Sequence, residues 1–217
     1  MKQDRTVNGM TLAQYESLIE EYRTEAPKIP EMYGNPSLDD YSDTIADSVE
    51  KMLNHTDKTK TGFYIHGAPG VGKSHLMYAI MNRVQERRIA KMIRSKDTQD
   101  RMWPPVVPWF FNASELFSIV RENMDVPIES RRDVIGEIMD LKPMLFLDDI
   151  GSEHSTPWAT STMYRIVNNR WENKLPTFYS SNLDPDGMRK VLGDRIASRI
   201  LGSSEILNLG ELDQRIK

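Results

Sequence analysis

Eight residues at 67–74, Gly67-Ala68-Pro69-Gly70-Val71-Gly72-Lys73-Ser74, match the pattern G-x-x-x-x-G-K-[ST] at every fixed position. These residue types suit a polyphosphate. The glycines let backbone N–H groups turn toward phosphate oxygens, and the N-terminus of the following helix adds positive dipole. Lys73 can then reach the β- and γ-phosphates, and Ser74 can ligate Mg²⁺. The flanks agree: Phe63-Tyr64-Ile65 reads as a buried strand, and His75-Leu76-Met77-Tyr78-Ala79-Ile80 as a helix. A nucleoside triphosphate, ATP or GTP, is the expected ligand.

A second acidic signal lies downstream. Met144-Leu145-Phe146-Leu147-Asp148-Asp149 is an apolar run ending in two carboxylates. A buried strand that delivers an acid to the C-terminal edge of a parallel sheet places it beside such a loop. Asp148 then suits the holding of Mg²⁺ and Asp149 the polarising of an attacking water. Tyr179-Ser180-Ser181-Asn182 ends a later strand on the same edge. Asn182 could bond the water or the γ-phosphate there, and it would equally serve as a turn residue before Leu183-Asp184-Pro185.

These groups need a scaffold, and the chain has the length for one. Its 217 residues, 39% hydrophobic and 28% charged, suit one α/β domain with a short appendage. Strands are expected at 106–111, 144–147, 177–181 and 205–209 besides the one before the loop, alternating with helices. Asn112 is expected to cap the helix after the second strand. A helix is expected at 41–54, with Ile45, Val49 and Met52 on one face, and another at 11–22 through Leu12, Tyr15, Leu18, Ile19 and Tyr22. Pro27, Pro30, Gly34 and Pro36 break the chain between them. The absence of cysteine excludes disulfides and thiolate metal sites, and four histidines without ligand-like spacing support no metal beyond nucleotide-bound Mg²⁺. No run is apolar enough to suggest a membrane span, so a cytoplasmic protein is expected. A net charge of −4 means that nucleic acid would have to meet a local basic patch.

In order, GAPGVGKSHL, FLDDIG, SSNL and GDRIASRI resemble the AAA+ ATPases of the DnaC/DnaI helicase-loader and IstB group, relatives of the initiator DnaA. The segment from Tyr33 to Tyr41 is similar to that group's approach to its core, and so is the set Trp158, Tyr164, Asn168 and Arg170 after the acidic strand. The resemblance runs from about Ile29 to the C-terminus. It implies an AAA+ core with five parallel strands and helices on both faces, preceded by a short helical N-terminal extension. The expected division is residues 1–40 for that extension and its approach loop, and 41–217 for the ATPase.

The resemblance also implies roles. Asn182 matches the sensor I position, Arg199 the arginine finger that acts on a neighbouring subunit's nucleotide, and Arg215 sensor II; Arg195 competes for the finger position. His75 follows the P-loop in the family as well, and a packed helix histidine explains it equally. ATP and Mg²⁺ are the implied cofactors, and a replicative helicase, single-stranded DNA and a homo-oligomer in the ATP state the implied partners. Family members carry an insertion before the acidic strand that contacts single-stranded DNA, which here points to Arg121, Arg131 and Arg132. A separate basic run, Arg87, Arg88, Lys91, Arg94, Lys96 and Arg101 with Trp103 and Trp109, could bind nucleic acid or form a solvated helix end. Two other functions fit the same motifs: an IstB-like transposition helper that remodels duplex DNA, and a nucleotide-dependent interaction module. The Leu12–Tyr22 stripe could dock on a partner or fold back on its own domain.

Overall fold

The computed structural model describes residues 6–7, 10–11, 27–54, 61–94, 108–124, 127, 133–140, 144–152 and 156–210. Two short strands, β1 (Thr6–Val7) and β2 (Met10–Thr11), pair antiparallel. Thr11 therefore belongs to a strand rather than opening the expected helix, and the stripe that follows lies outside the described residues. The elements then run α1 (Asp43–Asn54), β3 (Gly62–His66), α2 (Lys73–Arg94), β4 (Trp109–Asn112), α3 (Ala113–Met124) and α4 (Val134–Asp140). After these come β5 (Leu145–Asp148), α5 (Pro157–Glu172), β6 (Thr177–Ser181), α6 (Pro185–Leu192), α7 (Asp194–Ser203) and β7 (Ser204–Asn208).

Five strands form one parallel sheet in the order β4-β5-β6-β3-β7. Alternation along the strands decides which helices cover which face. Phe63, Ile65, Phe146 and Phe178 point to one side and pack with Leu38, Val49, Met52, Leu76, Met77 and Ile80 of the approach segment, α1 and α2. Tyr64, Leu145, Leu147 and Tyr179 point to the other and meet α3 to α7 through Leu116, Ile138, Met163, Ile166, Ile196 and Ile200. Under α2 the rings of Tyr78, Phe110, Phe146 and Phe178 stack in series, with centroids 4.2, 6.0 and 4.5 Å apart. Stacked aromatics on neighbouring strands stabilise the pairing beyond their area alone.

Local chemistry sets the boundaries. The helix expected at 41–54 begins two residues later, at Asp43, because Tyr41 is extended and Ser42 O accepts the first helical bonds from Ile45 and Ala46. Strand β5 starts and ends one residue beyond the expected bounds, since Asp148 still pairs with Asn112; β7 is displaced one residue the other way, with Ser204 opposite Gly62. Asn112 closes β4 and its Oδ1 accepts from Ser114 N–H at 3.0 Å, the expected cap. Thr156 caps α5 by accepting from Ala159 N–H, and Asp184 caps α6 by accepting from Gly187 N–H, each with proline next.

Two close arrangements lock the sheet to its outer layer. A Cβ built on Gly62 would lie 1.7 Å from Thr177 O, so β3 and β6 approach as they do only with no side chain between them. Arg170, 1% exposed, donates from Nε to Thr177 Oγ1 (2.7 Å), from Nη1 to Ile138 O (2.9 Å) and from Nη2 to Pro176 O (2.8 Å). It thereby satisfies a carbonyl in the last turn of α4 and ties that helix to β6. Burial pushes its pKa down to about 10. No helix among the described residues is long and apolar enough to cross a membrane.

Candidate functional site

Parallel strands bring His66, Asn112, Asp148 and Ser181 to one edge of the sheet, and the 67–72 loop leaves β3 there. Gly70 and Gly72 have φ of +82° and +96°, a region open to glycine and strained for other residues. With those turns made, Leu76 N–H bonds Gly72 O at 2.9 Å and α2 begins at Lys73. Lys73 Nζ donates to Gly67 O and Ala68 O, both at 2.9 Å, and to Asn182 Oδ1 at 2.6 Å. The ammonium is thus held at the mouth of the loop, with Asn182 against it.

The acidic pair joins the same network. Asp148 is buried, and its Oδ2 accepts from Ser74 Oγ at 2.8 Å while Oδ1 accepts from Ser180 Oγ. Burial pushes its carboxyl pKa up; bonds from Ser180 and Ser74 oppose that, Asp149 adds to it and Lys73 opposes it. Asp149 adopts φ of +59°, uncommon for a residue with a side chain. Its N–H donates to Ser180 Oγ (2.9 Å), and its Oδ1 accepts from Asn182 Nδ2 (3.0 Å). Asn182 therefore bridges Lys73 and Asp149. Ser180, fully buried, meets both aspartates through one hydroxyl, donating to the Asp148 carboxylate and accepting from the Asp149 N–H. A serine inside an apolar strand carries no chemical signal in sequence, and this one was missed.

The donor set fits the implied cofactors. Ser74 Oγ and Asp148 Oδ2 offer a hydroxyl and a carboxylate at one point, oxygen ligands of the kind that hold Mg²⁺ alongside water and phosphate. Among the described residues no group of three or more His, Cys, Asp or Glu side chains is arranged to hold a metal alone.

Other expected residues fall elsewhere. His75 turns to the approach segment, where Nδ1 lies 2.7 Å from Tyr41 Oη and Nε2 3.8 Å from Asp40 Oδ2. Tyr41 Oη also donates to Gly72 O at 3.3 Å, and Asn82 Nδ2 reaches Pro36 O at 2.9 Å, so that segment is clamped along α2. Arg121 is exposed on α3 with its guanidinium 5.3 Å from the Trp158 ring. Arg87 pairs with Glu50 and Asn54 of α1, which gives this member of the basic run a structural partner. Trp109 packs at the core margin against Phe111. Arg131, Arg132 and Arg215 lie outside the described residues, as do Lys96, Arg101 and Trp103.

Arg199 stands away from the P-loop network, on α7. Its Nε donates to Asn168 Oδ1 (2.7 Å), its Nη1 to Arg195 O (2.8 Å) and its Nη2 to Tyr164 Oη (3.4 Å). The guanidinium lies 5.1 Å from the Tyr164 ring centroid and 5.2 Å from that of Trp171. Arg195 is exposed on the same helix and lines an open groove of about 730 Å³ between α5 and the α6–α7 joint.

No protein-family model matches the chain. The replicative helicase loader DnaI of Bacillus subtilis (strain 168) is 31% identical to it over 140 residues, 64% of this chain and 38% of that protein. The chain thus spans well under half the length of this curated relative. A crystal structure of the DnaC helicase loader superposes with a TM-score of 0.65 at 22% identity, covering 82% of this chain and 99% of that one. The replication initiator DnaA bound to AMPPCP and single-stranded DNA superposes with a TM-score of 0.60 at 16% identity, over 81% of this chain and 50% of that one. In sequence this chain is similar to the DnaC/DnaI helicase loaders, and it shares the fold of their AAA+ domains.

Proposed function

We propose that the chain is an ATP-hydrolysing module of a helicase loader, assembling head to tail in its ATP state and binding single-stranded DNA. The observation that carries this reading is the continuous network from Lys73 through Asn182 to Asp149, and from Ser74 through Asp148 to Ser180. Lys73 and the loop N–H groups bind the phosphates, and Ser74 with Asp148 holds the metal. When bound, Mg²⁺ offsets the negative charge that builds on the phosphate oxygens. Asp149, oriented through its Oδ1 by Asn182, accepts the proton of a water that becomes the hydroxyl of released phosphate, leaving ADP. Arg199, presented by α7, completes the site of the adjacent subunit, an effect worth roughly 10³–10⁵ in rate where such fingers act.

Similarity to replicative helicase loaders supports a helicase as partner, in the cytoplasm. The division into residues 1–40 as its contact and 41–217 as the ATPase rests on the family pattern alone. The fold shared with DnaA bound to single-stranded DNA supports a DNA surface on the segment carrying Arg121, Arg131 and Arg132. The nucleotide-sensor role of Arg215 rests on the family pattern alone.

The test uses Asp149→Asn, which should bind ATP and fail to turn it over, as bait in extract of the source cell. Recovery of a replicative helicase that depends on ATP and is lost with Lys73→Ala supports the loader. Recovery of a transposase would replace it with the IstB-like reading. Self-assemblies and DNA alone would leave the ATPase without the loading role, and a protein bound tightly without DNA would indicate the interaction module.

A further inference from the structure

The Arg199 site departs from what a surface arginine on an amphipathic helix normally shows. Such a side chain is usually solvated in several rotamers or paired with a carboxylate. Here Ile196, Ala197 and Ile200 face the core, and Arg199 is laid along α5. Among the described residues its contacts are all neutral: an amide oxygen, a backbone carbonyl, a phenol and two ring faces. Tyr164, Asn168 and Trp171 follow one another at four- and three-residue steps, which puts them on one stripe of α5. Trp171 is 46% exposed and keeps its ring centroid 5.2 Å from the guanidinium.

We infer that Tyr164, Asn168 and Trp171 are positioning residues: a neutral cage that fixes the Arg199 guanidinium without cancelling its charge. The inference rests on the reading that Arg199 acts on a neighbouring subunit's phosphates. Two physical consequences make the arrangement suited to that task. A carboxylate partner would have to be displaced before the cation met phosphate, whereas ring faces and amide oxygens leave the full charge available. Holding one rotamer in advance also removes ordering entropy from the encounter. Three of the five guanidinium N–H groups bond within the described residues, leaving two for an incoming anion.

The experiment compares Arg199→Ala, Asn168→Ala, Trp171→Ala and Trp171→Phe in the full chain. It measures ATP hydrolysis, affinity for a fluorescent ATP analogue, and Tm. Arg199→Ala should lower kcat by roughly 10³-fold or more. Asn168→Ala and Trp171→Ala should lower it by roughly 10–100-fold, the cost of a misplaced group, with analogue affinity unchanged. Trp171→Phe, which keeps a ring, should recover most of the rate. Mixing either cage variant with Lys73→Ala subunits, whose own Arg199 is intact, should restore hydrolysis. Wild-type rates in both cage variants beside a dead Arg199→Ala would overturn the cage and leave the finger. A fully active Arg199→Ala would overturn the finger and the cage with it. Joint loss of Tm and analogue affinity, with no rescue on mixing, would make the cage structural packing and also overturn the inference.

Discussion

At the C-terminal edge of the sheet, Lys73, Asp148 and Asp149 meet polar groups of their own chain, linked by Asn182, Ser74 and Ser180. On the outer face of α5 and α7, Arg199 is held as firmly, and among the described residues only by neutral groups. The contrast separates a cluster whose charges meet polar and charged groups of the same chain from a cation that neutral groups hold in place. It extends to two arginines in contact with the same helix. Arg170, on the inner side of α5, has its charge desolvated and its N–H groups spent on backbone and threonine oxygens; Arg199, half-buried on the outer side, is oriented and not consumed.

The comparison can be broken most directly at Lys73. Lys73→Ala should weaken ATP binding by at least about 100-fold, as expected from losing two charge-assisted phosphate bonds. Calorimetry showing less than a tenfold change would remove the sheet edge as the nucleotide site. Next, Arg170→Met should cost about 2–3 kcal/mol in urea unfolding, because it removes the Arg170 donor from Ile138 O and one of two partners from each of Pro176 O and Thr177 Oγ1, which keep Leu145 N–H and Leu175 O. Arg199→Met should cost about 1 kcal/mol or less by the same measurement, since it removes contacts and strands no fully buried group. Equal costs would erase the inner and outer distinction.

Ser180→Ala sharpens the account of the acidic pair. It removes the donor to Asp148 and the acceptor of the Asp149 N–H, so kcat should fall roughly tenfold with the ATP analogue still bound. An unchanged kcat would reduce Ser180 to packing. The smallest effect is a pH response. Burial holds the His66 pKa below the ordinary histidine value. The unfolded chain therefore takes up the proton first, and stability should be full above about pH 6.5 and decline as pH falls from there toward the lower folded value. His66→Gln should flatten Tm against pH in that window. A slope unaffected by the substitution would assign it to other groups.

Much of the sheet-edge site was legible because its members are contiguous or end strands. Gly67 to Ser74, Asp148-Asp149 and Asn182 each follow an apolar run, and a parallel sheet carries such positions to one edge. The two strand shifts of one residue reflect pairing rather than hydrophobicity: Asp148 stays in the ladder opposite Asn112, a fact that polarity conceals. What sequence concealed were partnerships made across distance by ordinary residues. Ser180 looks like strand filler, Tyr41 like part of a helix, and Arg170 like a charged residue near a helix end. Each acquires its role from a neighbour some 30 positions away, Asp148, His75 and Ile138 respectively. The Arg199 assignment came from family resemblance, and its setting on α5 became visible only in three dimensions.

The close approach at Gly62 has a bearing on how this chain can vary. Even alanine there would collide with the Thr177 carbonyl, and Thr177 in turn receives Arg170, which holds α4. In a library of all single substitutions selected on function alone, position 62 should tolerate as little as position 73. Measured protein abundance would tell them apart: Lys73 variants should accumulate folded and inert, while Gly62 variants should be cleared by proteolysis. A glycine remote from the chemistry would thus carry the statistical mark of a catalytic residue.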